Sequence, residues 1–247
     1  MAAPFADPLP VHQHVPARHG WRWIVQAFYL VREQPVTWAM FALAYIALQV
    51  VLSMVPALGM AGMLLAPVFG GSFVLAAQKT ERGEPLRRAD FLTGLRQHGL
   101  SLAAVGALYS VLLMLGLVAL ELLLTLAAPG LVERLAAEDA ATLAASDLIP
   151  VMIGATVVVF VVNLAYWFAP AAVVLARLNA FQALRVSFRA GLTNWLAILV
   201  YSVMLSLLLF LALLPLLLGL LLWFPVLYAS GYTAWRDVFG NGLPQRC

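Results

Sequence analysis

Charge is scarce in this chain: 10% of its 247 residues are Asp, Glu, Lys or Arg, against about 25% in soluble domains. Cysteine is scarcer still. The single Cys247 excludes an internal disulfide framework and matches no prenylation ending. Met1 to Gly20 holds Pro4, Pro8 and Pro16 but no apolar run, so it lacks the core of a cleavable signal peptide. No pair of His, Ser or acidic residues falls at comparable depth, as an intramembrane hydrolase needs, and Gly70-Gly71 and Gly191 form no phosphate-cradling loop. An enzyme is therefore not expected, and no catalytic, cofactor-binding or metal residue is assigned. His12, His14 and His19 lie close together but read as a solvated tail.

What is present is apolar. Hydrophobic residues make up 64% of the chain, with a mean hydropathy of +0.97. A water-soluble fold of this length could not bury so much. Six stretches are long enough to cross about 30 Å of hydrocarbon as helices: residues 36–55, 60–78, 102–127, 151–175, 195–213 and 216–235. Barrel-type alternation is absent, and lipid favours helices, whose backbone groups are satisfied internally. The expected fold is an all-α polytopic transmembrane bundle of three hairpins. It has a flexible tail at 1–20, a single membrane domain at 21–239 and a C-terminal tail at 240–247.

The cations set the orientation. Of the fourteen Lys and Arg residues, all but Arg134 fall before the first span, between spans two and three, between four and five, or after the sixth. Arg134 shares its loop with Glu133, Glu138, Asp139 and Asp147. This positive-inside pattern places both termini in the cytoplasm. The pI of about 9.3 is not a nucleic-acid signature, because the basic residues form no continuous face.

A short amphipathic segment precedes each hairpin. In the first, Trp21, Ile24, Phe28 and Val31 oppose Arg22, Gln26, Tyr29 and Glu33. In the second, Phe91, Leu92 and Leu95 oppose Arg87, Asp90 and Gln97. In the third, Phe181, Leu184 and Phe188 oppose Gln182, Arg185 and Arg189. These spacings fit helices lying in the cytoplasmic interface, with arginines reaching lipid phosphates. Arg18, Trp21, Arg22, Arg96, Arg185 and Arg189 are the candidate headgroup contacts.

Polar residues inside the spans are few. Glu121 is the only acid there, and such residues are functional candidates by default. With Asn163, near mid-membrane, and Tyr166 it makes the candidate intramembrane site. Gln49, Ser53, Tyr109 and Ser202 read as interhelical hydrogen-bonders, and the stripe Gly62, Ala66, Gly70 as close packing, a pattern that Gly106 and Ser110 repeat. Trp167 and Pro170 mark a fixed bend, Arg236 and Asp237 a local pair, and Leu205 to Leu222 a lipid-facing run.

The chain resembles a family of uncharacterised proteobacterial inner-membrane proteins. The likeness rests on Val15-Pro16-Ala17-Arg18-His19-Gly20-Trp21-Arg22-Trp23 with Arg32-Glu33-Gln34-Pro35, and on Trp167-Phe168-Ala169-Pro170-Ala171. Further on, Ala183 to Arg189 with Asn194-Trp195, and Tyr228 to Tyr232 with Arg236 to Phe239, carry it. One departure is Trp235, where the family pattern has tyrosine. The resemblance implies a six-helix topology in the inner membrane and no assigned activity. A more distant likeness, through Ala183-Leu184 and Ser187-Phe188-Arg189, is to membrane domains beside glycerophosphodiester phosphodiesterases. The expected function is non-enzymatic contact with membrane lipids, a protein partner or a second copy, without cofactor or nucleic acid. The alternative is a small-solute transporter or channel with a path between the hairpins.

Overall fold

The computed structural model describes residues 9–54, 59–127, 130–132, 145–214 and 218–240. Most of them are helical: α1 His19–Glu33, α2 Pro35–Ser53, α3 Gly59–Glu81, a 3₁₀ turn Arg88–Leu92, α4 Thr93–Ala127, α5 Ala145–Tyr166, α6 Ala169–Ala176, α7 Ala180–Thr193, α8 Trp195–Leu213 and α9 Leu220–Phe239. Five spans among the described residues are long and apolar enough to cross a membrane: Pro35–Ser53, Gly62–Glu81, Arg88–Ala127, Leu148–Ala176 and Trp195–Leu213. The expected sixth, residues 216–235, begins outside the described residues, and its described part belongs to the more polar α9. α9 is a 20-residue helix, but its second half carries Ser230, Tyr232, Thr233, Arg236 and Asp237, which bond to other elements instead of facing lipid. The acidic loop that holds Arg134 lies outside the described residues.

Each hairpin begins with the same joint. α1 breaks from α2 at Gln34 (φ −137°, ψ 56°), with Pro35 opening the new helix. α4 breaks inside itself at His98 (φ −137°, ψ 16°), and α7 breaks from α8 at Asn194 (φ −116°, ψ 23°). Beyond each joint the inward register repeats. Trp38, Phe41 and Tyr45 follow Gln34; Leu102, Val105 and Tyr109 follow His98; Ile198, Tyr201 and Leu205 follow Asn194. All but Tyr109, which is half-buried, lie in the core. This is a/d-type helix packing.

The three units close into a ring. The lead-in of each packs on the second span of the one before, through a buried hydroxyl. Ser72 of α3 accepts from Gly94 N of α4 at 2.9 Å. Ser187 of α7 donates to Leu164 O of α5 at 2.9 Å and accepts from Phe168 N at 2.9 Å. Thr233 of α9 donates to Trp23 O of α1 at 2.9 Å, so the last unit holds the first. The joints reach around in the opposite sense. Gln34 pins the segment leading into the second unit, accepting from Leu86 N at 2.7 Å and donating to Glu84 O at 3.0 Å. Asn194 pins the segment leading into the first, accepting from Val15 N at 2.8 Å and donating to Gln13 O at 3.1 Å. His98 stands within electrostatic reach of Arg177, which ends α6 in the left-handed conformation (φ 55°) ahead of the third unit.

The lead-in helices are therefore core elements, and their buried faces differ from those expected. α1 buries Gly20, Trp23, Ile24, Ala27, Leu30 and Val31, while Trp21 and Phe28 point outward. α7 buries Ala183, Leu184, Val186, Ser187, Ala190 and Gly191 and exposes Phe181 and Phe188. Small residues set the approach: a Cβ on Gly20 would stand 2.2 Å from Ala197 O and 2.7 Å from Tyr201 N. From Leu9 on, the N-terminal segment lies against this end, with His12 Nε2 3.1 Å from Thr193 Oγ1 and Gln13 donating to Asp237 O at 2.7 Å.

Two substitutions test this packing. Ser187→Ala leaves Leu164 O and Phe168 N without their partner and is expected to cost about 1–3 kcal/mol. Gly20→Ala forces backbone apart and is expected to cost a similar amount, about 1–3 kcal/mol. Gly70→Ala, whose Cβ would meet Pro170 at an ordinary 3.7 Å, should stay within about 1 kcal/mol of wild type. Thermal unfolding in detergent reads all three.

Candidate functional sites: a basic end and a tyrosine-lined cavity

At the joint end of the bundle, polar side chains on different helices are wired together. Asp237 Oδ2 accepts from Trp23 Nε1 at 2.8 Å and lies 2.7 Å from His19 Nδ1. Its neighbour Arg236 pairs with Glu81 of α3 and donates to Gln26 of α1 at 3.0 Å. Glu81 also accepts from the Tyr232 hydroxyl. Arg236 and Asp237 thus bond to different partners, not to each other as expected. Burial pulls the Arg236 pKa below the ordinary arginine value; Asp237 opposes that and Arg22 adds to it. A guanidinium keeps its charge through such a shift. Lys79 and Asp90 pair at 2.8 Å, and Asp90 accepts from Arg87 N at 2.6 Å.

The outer surface of this end alternates cation and aromatic. Arg18, Trp21, Arg22, Arg96, Arg185 and Arg189 are all exposed, as are Arg32, Arg82, Arg87, Arg88 and Arg177. Between them stand exposed Phe28, Tyr29, Leu95, Phe181, Phe188 and Trp195, and the Arg32 guanidinium sits 5.0 Å over the Tyr29 ring. Amphipathic arginine and aromatic side chains of this kind suit a membrane–water boundary. Beyond it the spans expose Leu, Val and Met along their length, including Leu115, Val118, Leu122, Leu207, Phe210 and Leu211. Apolar surface this extensive does not belong in water.

Inside the bundle lies a cavity of about 350 Å³ lined by α3, α4, α5, α6 and α9, with Trp167 between α5 and α6. Its walls are Met63, Ala66, Gly70, Val74, Tyr109, Tyr166, Trp167, Pro170, Ala171, Leu227, Tyr228 and Gly231, none of them charged. A second hollow, lined by Gln49, Leu52, Ser53, Gly62, Met63 and Ala66, shares two of those residues. The stripe Gly62, Ala66, Gly70, expected to pack a helix closely, instead leaves this space open. Gly106 does pack as expected, its would-be Cβ 2.8 Å from Met63 O.

Tyrosines from four spans meet at one depth. Tyr45 and Tyr109 follow the start of α2 and the His98 joint by ten and eleven residues, and Tyr166 and Tyr228 precede the ends of α6 and α9 by ten and eleven. At about 1.5 Å per residue each stands some 15 Å from the basic end, mid-way through a hydrocarbon core. The Tyr109 and Tyr166 rings are 4.7 Å apart, and Tyr45 and Tyr228 5.4 Å. Tyr228 stacks on Phe73 at 4.5 Å, and Gln49 donates to the Tyr45 hydroxyl at 3.0 Å. The Trp167 ring lies 4.5 Å from Tyr201. Its indole N–H is buried without a partner among the described residues, as are those of Trp38 and Trp235 outside the cavity.

Of the three expected intramembrane residues, the structure brings only Tyr166 to the cavity. Glu121 is exposed toward the outer end of α4, and half-buried Asn163 does not line the space. Tyr228 and Trp167, which line it, and Tyr45 beside Tyr228 were not expected there, although the repeated spacing from Gln34 to Tyr45 and from His98 to Tyr109 is visible in the sequence. Compared with family models, curated proteins and solved structures, the chain matches none. Among the described residues no three His, Cys, Asp or Glu side chains gather as a metal site.

Asp237→Ala removes the acceptor shared by Trp23 and His19 and is expected to cost about 1–3 kcal/mol. Arg22→Ala, on the open surface, should change stability by no more than about 0.5 kcal/mol. Chemical unfolding in mixed micelles separates the two.

Proposed function

We propose that this chain is a multi-pass protein of a bacterial inner membrane, with both termini cytoplasmic, that contacts anionic lipid headgroups through its basic end without catalysis. One observation carries the reading: ten exposed arginines interleaved with exposed aromatics at the end where all three lead-in helices meet. Juxtamembrane cations gain about 1 kcal/mol each from an anionic leaflet. The distribution of cations supports the orientation, and the resemblance to proteobacterial six-helix inner-membrane proteins agrees with it. A protein partner or a second copy could dock on the same face. A small-solute path is the second reading, favoured by the cavity and by the hollow it shares with Gln49 and Ser53.

Reconstitution into nanodiscs of mixed phosphatidylglycerol and phosphatidylcholine tests the lipid reading. The expected result is enrichment of phosphatidylglycerol around the protein, reduced by about fivefold for each of Arg22→Gln, Arg96→Gln and Arg185→Gln and weakened by salt. Equal recovery of both lipids by wild type would sink it. Orientation is tested through the lone Cys247: a membrane-impermeant maleimide should label it in inverted vesicles and not in intact spheroplasts.

A further inference from the structure

We infer that the mid-membrane cavity binds a neutral, lipid-soluble ring compound whose polar atoms are carbonyl acceptors. The donors come first. Among the described residues, neither the Tyr109 nor the Tyr166 hydroxyl makes a hydrogen bond, and both residues line the cavity. A polar group left unpaired in hydrocarbon costs several kcal/mol. Here two such groups belong to residues that line one space, and each has a hydrogen to give. An acceptor-bearing guest satisfies both.

The rest of the lining narrows the guest's chemistry. No charged side chain borders the space, so an ion would lie unpaired in a low dielectric. Four aromatic side chains, Tyr109, Tyr166, Trp167 and Tyr228, stand in the walls, with Tyr228 stacked on Phe73, which favours a flat ring. A volume of about 350 Å³ sits at the small end of ligand sites and fits one compact molecule. Phospholipid ester carbonyls lie near the interface, some 15 Å above this depth, which excludes them as the acceptors. Binding alone is inferred, and it goes beyond the headgroup reading, whose residues lie at the basic end.

The probe is 2-methyl-1,4-naphthoquinone, compared with 2-methylnaphthalene, which has nearly the same ring but no acceptor. Full-length protein in nanodiscs is titrated with each, and retention is measured against empty nanodiscs. The expected outcome is saturable binding of one quinone per chain, at least tenfold tighter than the hydrocarbon. Tyr109→Phe and Tyr166→Phe keep the ring and remove the donor, so each should weaken the quinone severalfold and leave the hydrocarbon unchanged. Ala66→Leu, which fills the space, should abolish both. Equal affinity for the two probes, no saturable uptake, or tyrosine variants that bind the quinone as wild type does would each overturn the inference. Should a variant fail to fold, the comparison of the two probes on wild type still decides. Because the basic end is untouched, loss of headgroup preference and loss of quinone binding are separate results.

Discussion

Three buried hydroxyls hold this bundle together. Ser72, Ser187 and Thr233 each bridge a lead-in helix and the second span of the preceding unit. Lipid removes most of the hydrophobic drive between helices, so association falls to close packing and interhelical hydrogen bonds. That constraint explains the company these hydroxyls keep: Gly20, Ala27, Gly94, Ala183, Ala190 and Gly191 are all buried at or near the same seams. With the backbones that near, one small polar side chain is enough to pair otherwise orphaned groups. The register of the inward-facing residues on α2, α4 and α8 then follows from where each joint is fixed.

The spans and their lead-ins were legible because apolar runs and arginine-rich joints are long, periodic signals. The inward faces were not. In α1, Trp21 and Phe28 look like core by hydrophobicity, yet they point outward while Ala27 and Gly20 are buried. In water, apolarity marks the inside of a helix. At a membrane boundary the outside is apolar too, so side-chain size becomes the better guide. The same reasoning explains α9. Its second half is too polar for a lipid-facing span, because Thr233, Arg236 and Asp237 serve the neighbours that close the ring.

The interior site was hidden for a different reason. Charge draws attention in an apolar sequence, which made Glu121 a natural candidate, but the structure leaves it on the surface. The cavity opens beside Ala66 and Gly70, and the adjoining hollow beside Gly62 and Ala66, and a void has no letter in a sequence. Its three tyrosines come from separate helices, Tyr45 stands beside Tyr228 on a fourth, and only the fold shows that positions 45, 109, 166 and 228 share a depth. Their hydroxyls give the centre of an uncharged bundle a local set of donors, while the cations stay together at one end.

The ring closure has a consequence for how the protein is made. α1 leaves the ribosome well before its partners, which are Thr233 and Asp237 on α9 and Ala197 beside Gly20 on α8. The first helix must therefore wait for the last, its Trp23 and arginines resting at the water–lipid boundary while the intervening spans insert. Its split character suits that interval: amphipathic enough to lie at the surface as a nascent helix, and small enough along one edge to be taken into the bundle once α9 has been made.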